Sequence, residues 1–168
     1  PFLLWRALFD KRPRPSLKER MGFVPRRTGE RPVVWIHGVS VGEVKAASNF
    51  IAQLRRLRPD LDLLVSATTP NGHIVARQEY PDLPVVFYPL DFANFPGRAL
   101  DRIRPRCVLL MELEIWPNFL QAARNFIGAL ALSGAALGAT RVGAAPGKLN
   151  LSDIKKDTDI ACLYHCDF

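Results

Sequence analysis

The sequence predicts an α/β fold, a Rossmann-like parallel sheet with helices on both faces. Three observations carry this. Short apolar, β-branched runs alternate four times with helical periodicity between residues 33 and 126. The runs have little polar alternation, as in strands covered on both faces. Each is followed by a turn of glycine, hydroxyl or acidic residues, where parallel sheets hold ligands.

Residues 10–32 hold Pro13, Pro15, Pro25 and Pro32 among many charges and read as a linker. Within it, Ser16–Met21 suits one or two helical turns, with Ser16 as N-cap and Glu19 at the capping-box position. Val33–Ile36 is the first strand, and Gly38–Gly42 the turn after it. Val44–Arg58 follows as an amphipathic helix, with Val44, Ala47, Phe50, Ile51, Leu54 and Leu57 on one face. Its last turn carries Arg55, Arg56 and Arg58, which complement the helix dipole, and Pro59 ends it. Leu61–Ser66 is a second strand, leading into Ala67–Gly72 and a short helix over Asn71–Glu79. Pro84–Tyr88 is a third strand and Phe95–Ile103 a helix with Pro96 in its first turn. Cys107–Met111 is a fourth strand, and a further helix starts near Pro117. Ile127–Leu132 suits a fifth strand, after which periodicity fades.

At 168 residues, 48% hydrophobic and 23% charged, the chain suits one soluble domain with tails. Of the net charge of +7, residues 1–30 hold +5, from eight Lys or Arg against Asp10, Glu19 and Glu30. A basic arm beside the apolar Pro1–Trp5 suits an anionic lipid surface. It lacks the interleaved aromatics and glycines of a single-strand nucleic-acid binder, and a solvated tail stays open. No apolar run reaches the ~20 residues of a membrane span. Pro1 in place of Met suggests a processed or partial chain, and the opening apolar residues suit the end of an anchor. Cys107, Cys162 and Cys166 form no disulfide framework and favour a reducing compartment. Cys162, His165 and Cys166 lack a second ligand cluster, so no metal site is expected.

Three polar turns fall at the carboxyl edge of the sheet: His37–Glu43, Ser66–Gly72 and Glu112–Asn118. Glu43, at a helix start, suits either of two roles, a general base or an N-terminal capping carboxylate. Glu112 and Glu114 share one side of an extended backbone and suit acid/base work, or one capping and one pairing with arginine. His37 suits a ligand contact or packing beneath its turn. Neither G-x-G-x-x-G nor a Walker pattern is present.

Four motifs occur in order: Trp35–Glu43 (WIHGVSVGE), Thr68–Gly72 (TTPNG), Tyr88–Asp91 (YPLD) and Met111–Asn118 (MELEIWPN). Together they resemble the N-terminal domain of 3-deoxy-D-manno-octulosonic acid (Kdo) transferases over about Phe2–Ala123. The resemblance implies the N-terminal half of a GT-B glycosyltransferase, transferring Kdo from CMP-Kdo to the lipid A precursor (lipid IVA) with inversion. It implies an enzyme at the cytoplasmic face of the bacterial inner membrane, with no metal or other cofactor in the transfer. By position, Glu43 matches the general base and Glu112 a second catalytic acidic residue. His37, Ser40, Gly42, Thr69, Asn71, Gly72 and Glu114 are the acceptor-binding candidates. The expected partners are the lipid A precursor and the anionic lipid of the inner membrane, and not nucleic acid.

The domain reading is a basic membrane-proximal arm over 1–31, the acceptor-binding domain over 32–127 and a divergent tail over 128–168, disordered or non-native. The resemblance fades from Leu132–Ala136, and the family's CMP-sugar-binding domain is not found in the chain. A fragment without transferase activity of its own is therefore expected. A non-catalytic lipid-binding module and another GT-B glycosyltransferase are the alternatives.

Overall fold

Val33 and Trp35 point to one face of the first strand and Val34 and Ile36 to the other, and all four are buried. A strand apolar on both sides needs cover on both sides, and the chain supplies it with helices. The structure, a computed structural model, describes residues 17–111, 116–126, 129–132 and 163–164. In chain order the elements are α1 (Leu17–Arg20), β1 (Val33–Gly38), α2 (Val41–Leu57), β2 (Asp62–Ala67) and α3 (Pro70–Glu79). There follow β3 (Val85–Phe87), α4 (Phe95–Ile103), β4 (Pro105–Leu110), α5 (Pro117–Phe126), β5 (Ala129–Leu132) and β6 (Leu163–Tyr164).

The sheet order is β3-β2-β1-β4-β5-β6. The first five strands are parallel, with Trp35 level with Leu64 on one side and Val108 on the other. The winding runs outward from β1 to β3, then crosses back to β4. This places a topological switch point between the carboxyl ends of β1 and β4, where open α/β sheets bind ligands.

Two apolar layers flank the sheet. On one face Val44, Ala47, Phe50, Ile51 and Leu54 of α2, with Ala76 of α3, pack against Val34, Ile36, Val65 and Leu109. On the other, Ala99, Leu100 and Ile103 of α4 and Phe119 of α5 enclose Trp35, Val86 and Val108. Trp35 meets Phe119 edge-on at 5.5 Å and Tyr88 at 5.8 Å, geometries that suit the aromatic quadrupoles.

The parallel α/β sheet with helices on both faces is the fold expected from the sequence. Helix α2 starts three residues before its apolar periodicity, so Gly42 and Glu43 lie in its first turn. In the tail read as 128–168, β5 extends the parallel sheet beside β4, and β6 pairs antiparallel with β5. The remainder of that tail, with its expected disorder, lies outside the described residues.

The described part of the basic lead-in is fastened to the domain. Val24 is fully buried in the Trp35 layer. Arg26 pairs with Asp101 at 2.7 Å and Arg27 with Asp62 at 2.6 Å. The Arg98 guanidinium donates to the Met21 carbonyl at 2.8 Å and lies over the Phe23 ring. Val24 thus joins the apolar layer that α4 and α5 lay over Trp35. Among the described residues no helix is long and apolar enough to cross a membrane.

Candidate active site

Chain direction brings the polar turns together. In a parallel sheet every strand ends on the same edge, so the turns after β1 and β2 lie side by side. Backbone hydrogen bonds lock them: Thr69 N–H donates to the Val39 carbonyl at 3.0 Å, and Met111 N–H donates to the His37 carbonyl at 2.9 Å. The second bond ties the end of β4 to the end of β1 across the switch point.

Glu43 is half-buried in the first turn of α2. One carboxylate oxygen accepts the Val39 N–H and the other accepts the Ser40 hydroxyl at 2.7 Å. This resembles a capping box displaced by one residue, since the carboxylate reaches the backbone N–H before the N-cap Ser40. The Ser40 side chain, turned to Glu43, makes no capping bond to the helix backbone. Gly38 allows the arrangement: a Cβ there would lie 3.0 Å from the Val44 nitrogen and 3.2 Å from Glu43 Cβ. Only a residue without a side chain lets the start of α2 sit this close to β1.

His37 is 2% exposed beneath the turns. Its Nδ1 lies 2.9 Å from Ser66 Oγ, which also accepts the Trp35 Nε1–H at 2.7 Å. Its Nε2 lies 3.5 Å from Thr68 Oγ1, and the ring stacks on Tyr88 at 3.8 Å. Burial, opposed by the Ser66 carbonyl and reinforced by Arg20, pushes the His37 pKa down to about 3, so the ring is neutral. Its Nε2 faces the turn after β2 through the Thr68 hydroxyl.

The remaining candidates line the second turn. Thr69 caps α3 by accepting the Gly72 N–H at 3.1 Å, with Pro70 in the helix's first turn. Gly72 is buried beneath that turn, whereas Asn71 and Gly42 are exposed at the two helix starts. Glu43, Ser40, Gly42, Thr69, Asn71 and Gly72 therefore share the carboxyl edge, with His37 under them. Glu112 and Glu114 lie outside the described residues. So do Cys162, His165 and Cys166.

Several residues of this neighbourhood were not singled out from the sequence. Ser66 joins Trp35 to His37, and its signal was a lone hydroxyl ending an apolar strand. Asp91 accepts the backbone N–H groups of Asn118 at 3.1 Å and Phe119 at 2.6 Å, capping α5 across the β3–α4 loop. Arg20 donates to the Thr68 carbonyl from the lead-in. Nothing in local sequence spacing signals such a long-range contact.

A doubly wound sheet with polar turns gathered at its switch point defines a Rossmann-like ligand-binding domain. The family model described as "3-Deoxy-D-manno-octulosonic-acid transferase (kdotransferase)" matches residues 15–143, and the chain belongs to that family of glycosyltransferases. It is 34% identical to the 3-deoxy-D-manno-octulosonic acid transferase of Chlamydia pneumoniae, over 79% of this chain and 31% of that one. It is 39% identical to that of Bordetella pertussis, over 54% of this chain and 22% of the relative. A probable mitochondrial counterpart in Arabidopsis thaliana is 30% identical over 76% of this chain and 29% of its own length. The chain thus spans less than a third of each of these relatives.

Proposed function

We propose that this chain is the acceptor-binding half of a GT-B Kdo transferase of lipopolysaccharide biosynthesis, with Glu43 as general base. The carboxylate takes the proton of an acceptor sugar hydroxyl. The freed oxygen bonds to the anomeric carbon of Kdo as the bond to the CMP phosphate breaks, and CMP leaves on the opposite face. The donor is CMP-Kdo, held by a second domain, and the acceptor is the lipid A precursor. Glu112 is the second acidic residue, and Ser40, Gly42, Thr69, Asn71, Gly72 and Glu114 bind the acceptor, with His37 beneath them. Residues 1–31 bring the 32–127 domain to the cytoplasmic face of the inner membrane.

The observation that carries this reading is the placement of Glu43. It is a carboxylate oriented by two donors, at the carboxyl edge beside the switch point, in a chain of this family. One observation favours a second reading, a non-catalytic lipid-binding module: those same two donors engage both carboxylate oxygens, as in a purely structural cap.

The test offers lipid A precursor and CMP-Kdo to the chain alone and to the chain joined to a family member's C-terminal domain. The chain alone is expected to bind the lipid without turnover, and the joined protein to transfer Kdo. Absence of lipid A precursor binding by the chain overturns the reading. A joined protein that binds both substrates without transfer favours the binding module.

A further inference from the structure

We propose that Arg20 is a positioning residue, a strut that holds the 66–72 turn in place, rather than a lipid-facing charge of the basic lead-in. Its consequence for acceptor binding rests on the reading that the carboxyl edge takes the acceptor.

Helix α1 is a single turn outside the β–α winding, yet two adjacent residues of it reach three parts of the carboxyl edge. The Arg20 guanidinium donates to the Thr68 carbonyl and lies over the Phe87 ring at 5.3 Å. The Arg20 carbonyl accepts the Leu90 N–H at 2.9 Å. Glu19 Oε2 accepts the Phe87 N–H at 2.9 Å.

Thr68 is the junction through which this contact spreads. Its hydroxyl faces His37 Nε2, and the next residue, Thr69, bonds the Val39 carbonyl and caps α3. A shift of the Thr68 carbonyl is therefore felt at the starts of both α2 and α3, where Glu43 and Asn71 lie. A planar guanidinium satisfies both contacts of Arg20 at once, covering a ring with its face and meeting a carbonyl with its edge. A lysine ammonium, a compact and strongly hydrated charge, cannot do both. Burial lowers the Arg20 pKa from its ordinary value, in keeping with a cation drawn partly out of water. Lys18, in the same turn, is exposed.

Amide hydrogen exchange on the chain, with Arg20→Ala, Arg20→Lys and a Lys18→Gln control, tests the proposal. Loss of one carbonyl contact of ordinary strength is expected to speed exchange about fivefold across 68–73 in Arg20→Ala. Amides of 50–57 are expected to stay unchanged, and added guanidinium to restore protection at 68–73. On phosphatidylglycerol vesicles, Arg20→Ala is expected to keep the parent's salt dependence, whereas Lys18→Gln flattens it. Unchanged exchange at 68–73 together with a flattened salt dependence in Arg20→Ala overturns the proposal.

If Arg20→Ala fails to fold, Arg20→Lys decides. Lost protection at 68–73 with the charge kept supports the strut, and full protection overturns it. Lipid A precursor in neutral micelles is expected to bind Arg20→Ala about fivefold more weakly than the parent. If the parent chain itself does not bind that lipid, the acceptor reading fails, while exchange and vesicle binding still decide the strut.

Discussion

The Ser40 hydroxyl donates a hydrogen bond to one oxygen of Glu43 at 2.7 Å, while the Val39 N–H donates to the other. The N-cap residue thus spends its side chain on the carboxylate rather than on the helix backbone. Ser40→Ala removes one of two orienting donors and leaves the backbone one. It is expected to lower stability by no more than ~1 kcal/mol, because the lost bond is part-buried and no backbone cap is lost. In a protein joined to a donor domain, turnover is expected to fall more than acceptor affinity. Urea unfolding and steady-state transfer check the two parts.

Ser66 is a buried hinge of polar contacts. Ser66→Ala strands the Trp35 Nε1–H and removes the hydroxyl beside His37 Nδ1. Buried groups left unpaired cost ~1–3 kcal/mol each, so a loss of about 2 kcal/mol or more in urea unfolding is expected. A loss under ~0.5 kcal/mol would show that neither bond contributes to stability.

His37 makes stability fall with acid. Its folded pKa, pushed down to about 3 by burial, lies below the 6.5 of an unburied histidine. Between those values the unfolded chain binds a proton that the folded chain refuses. The stabilisation is whole above about pH 6.5 and drains away as pH falls toward about 3, at up to ~1.4 kcal/mol per pH unit. His73, stacked on Phe87 and also lowered by burial, acts in the same sense. Urea midpoints at pH 7 and pH 5 are expected to differ, and to differ less in His37→Gln. An equal difference in that variant would assign the acid sensitivity to other groups.

Gly22 seats the lead-in. Its φ is +84°, and a Cβ there would lie 2.3 Å from the Phe95 carbonyl oxygen. Gly22→Ala is therefore expected to cost at least ~1–3 kcal/mol and to loosen Val24 and Arg98 from their contacts. Urea unfolding, with exchange at residues 21–27, checks this.

The alternation of apolar runs and amphipathic stretches made the α/β sheet legible, because strands buried on both faces must be apolar on both faces. Val33–Ile36 and Cys107–Leu110 show this most directly. The turns after β1 and β2 were legible because a parallel sheet puts its carboxyl ends on one edge. Element edges were less so: the apolar periodicity begins at Val44, while the helix that carries Glu43 at its start begins at Val41. Long-range polar contacts were not legible at all. Arg20 reads as one more positive charge of a basic arm, and Asp91 as a loop residue, until the fold brings Thr68 and Asn118 to them. Charge counting cannot tell a solvated arginine from one used internally, as the largely covered Arg27 beside Asp62 also demonstrates.

The most direct measurement is Kdo transfer to lipid A precursor by the chain joined to a family C-terminal domain, with Glu43 and with Glu43→Gln. Glutamine keeps the shape and an oxygen for the Val39 N–H, but has no carboxylate to take a proton. Acceptor affinity is expected to stay within about threefold, while turnover falls by the ~10²–10⁴ that a positioned general base supplies. Full turnover in Glu43→Gln would contradict the assignment and leave Glu43 as a helix cap.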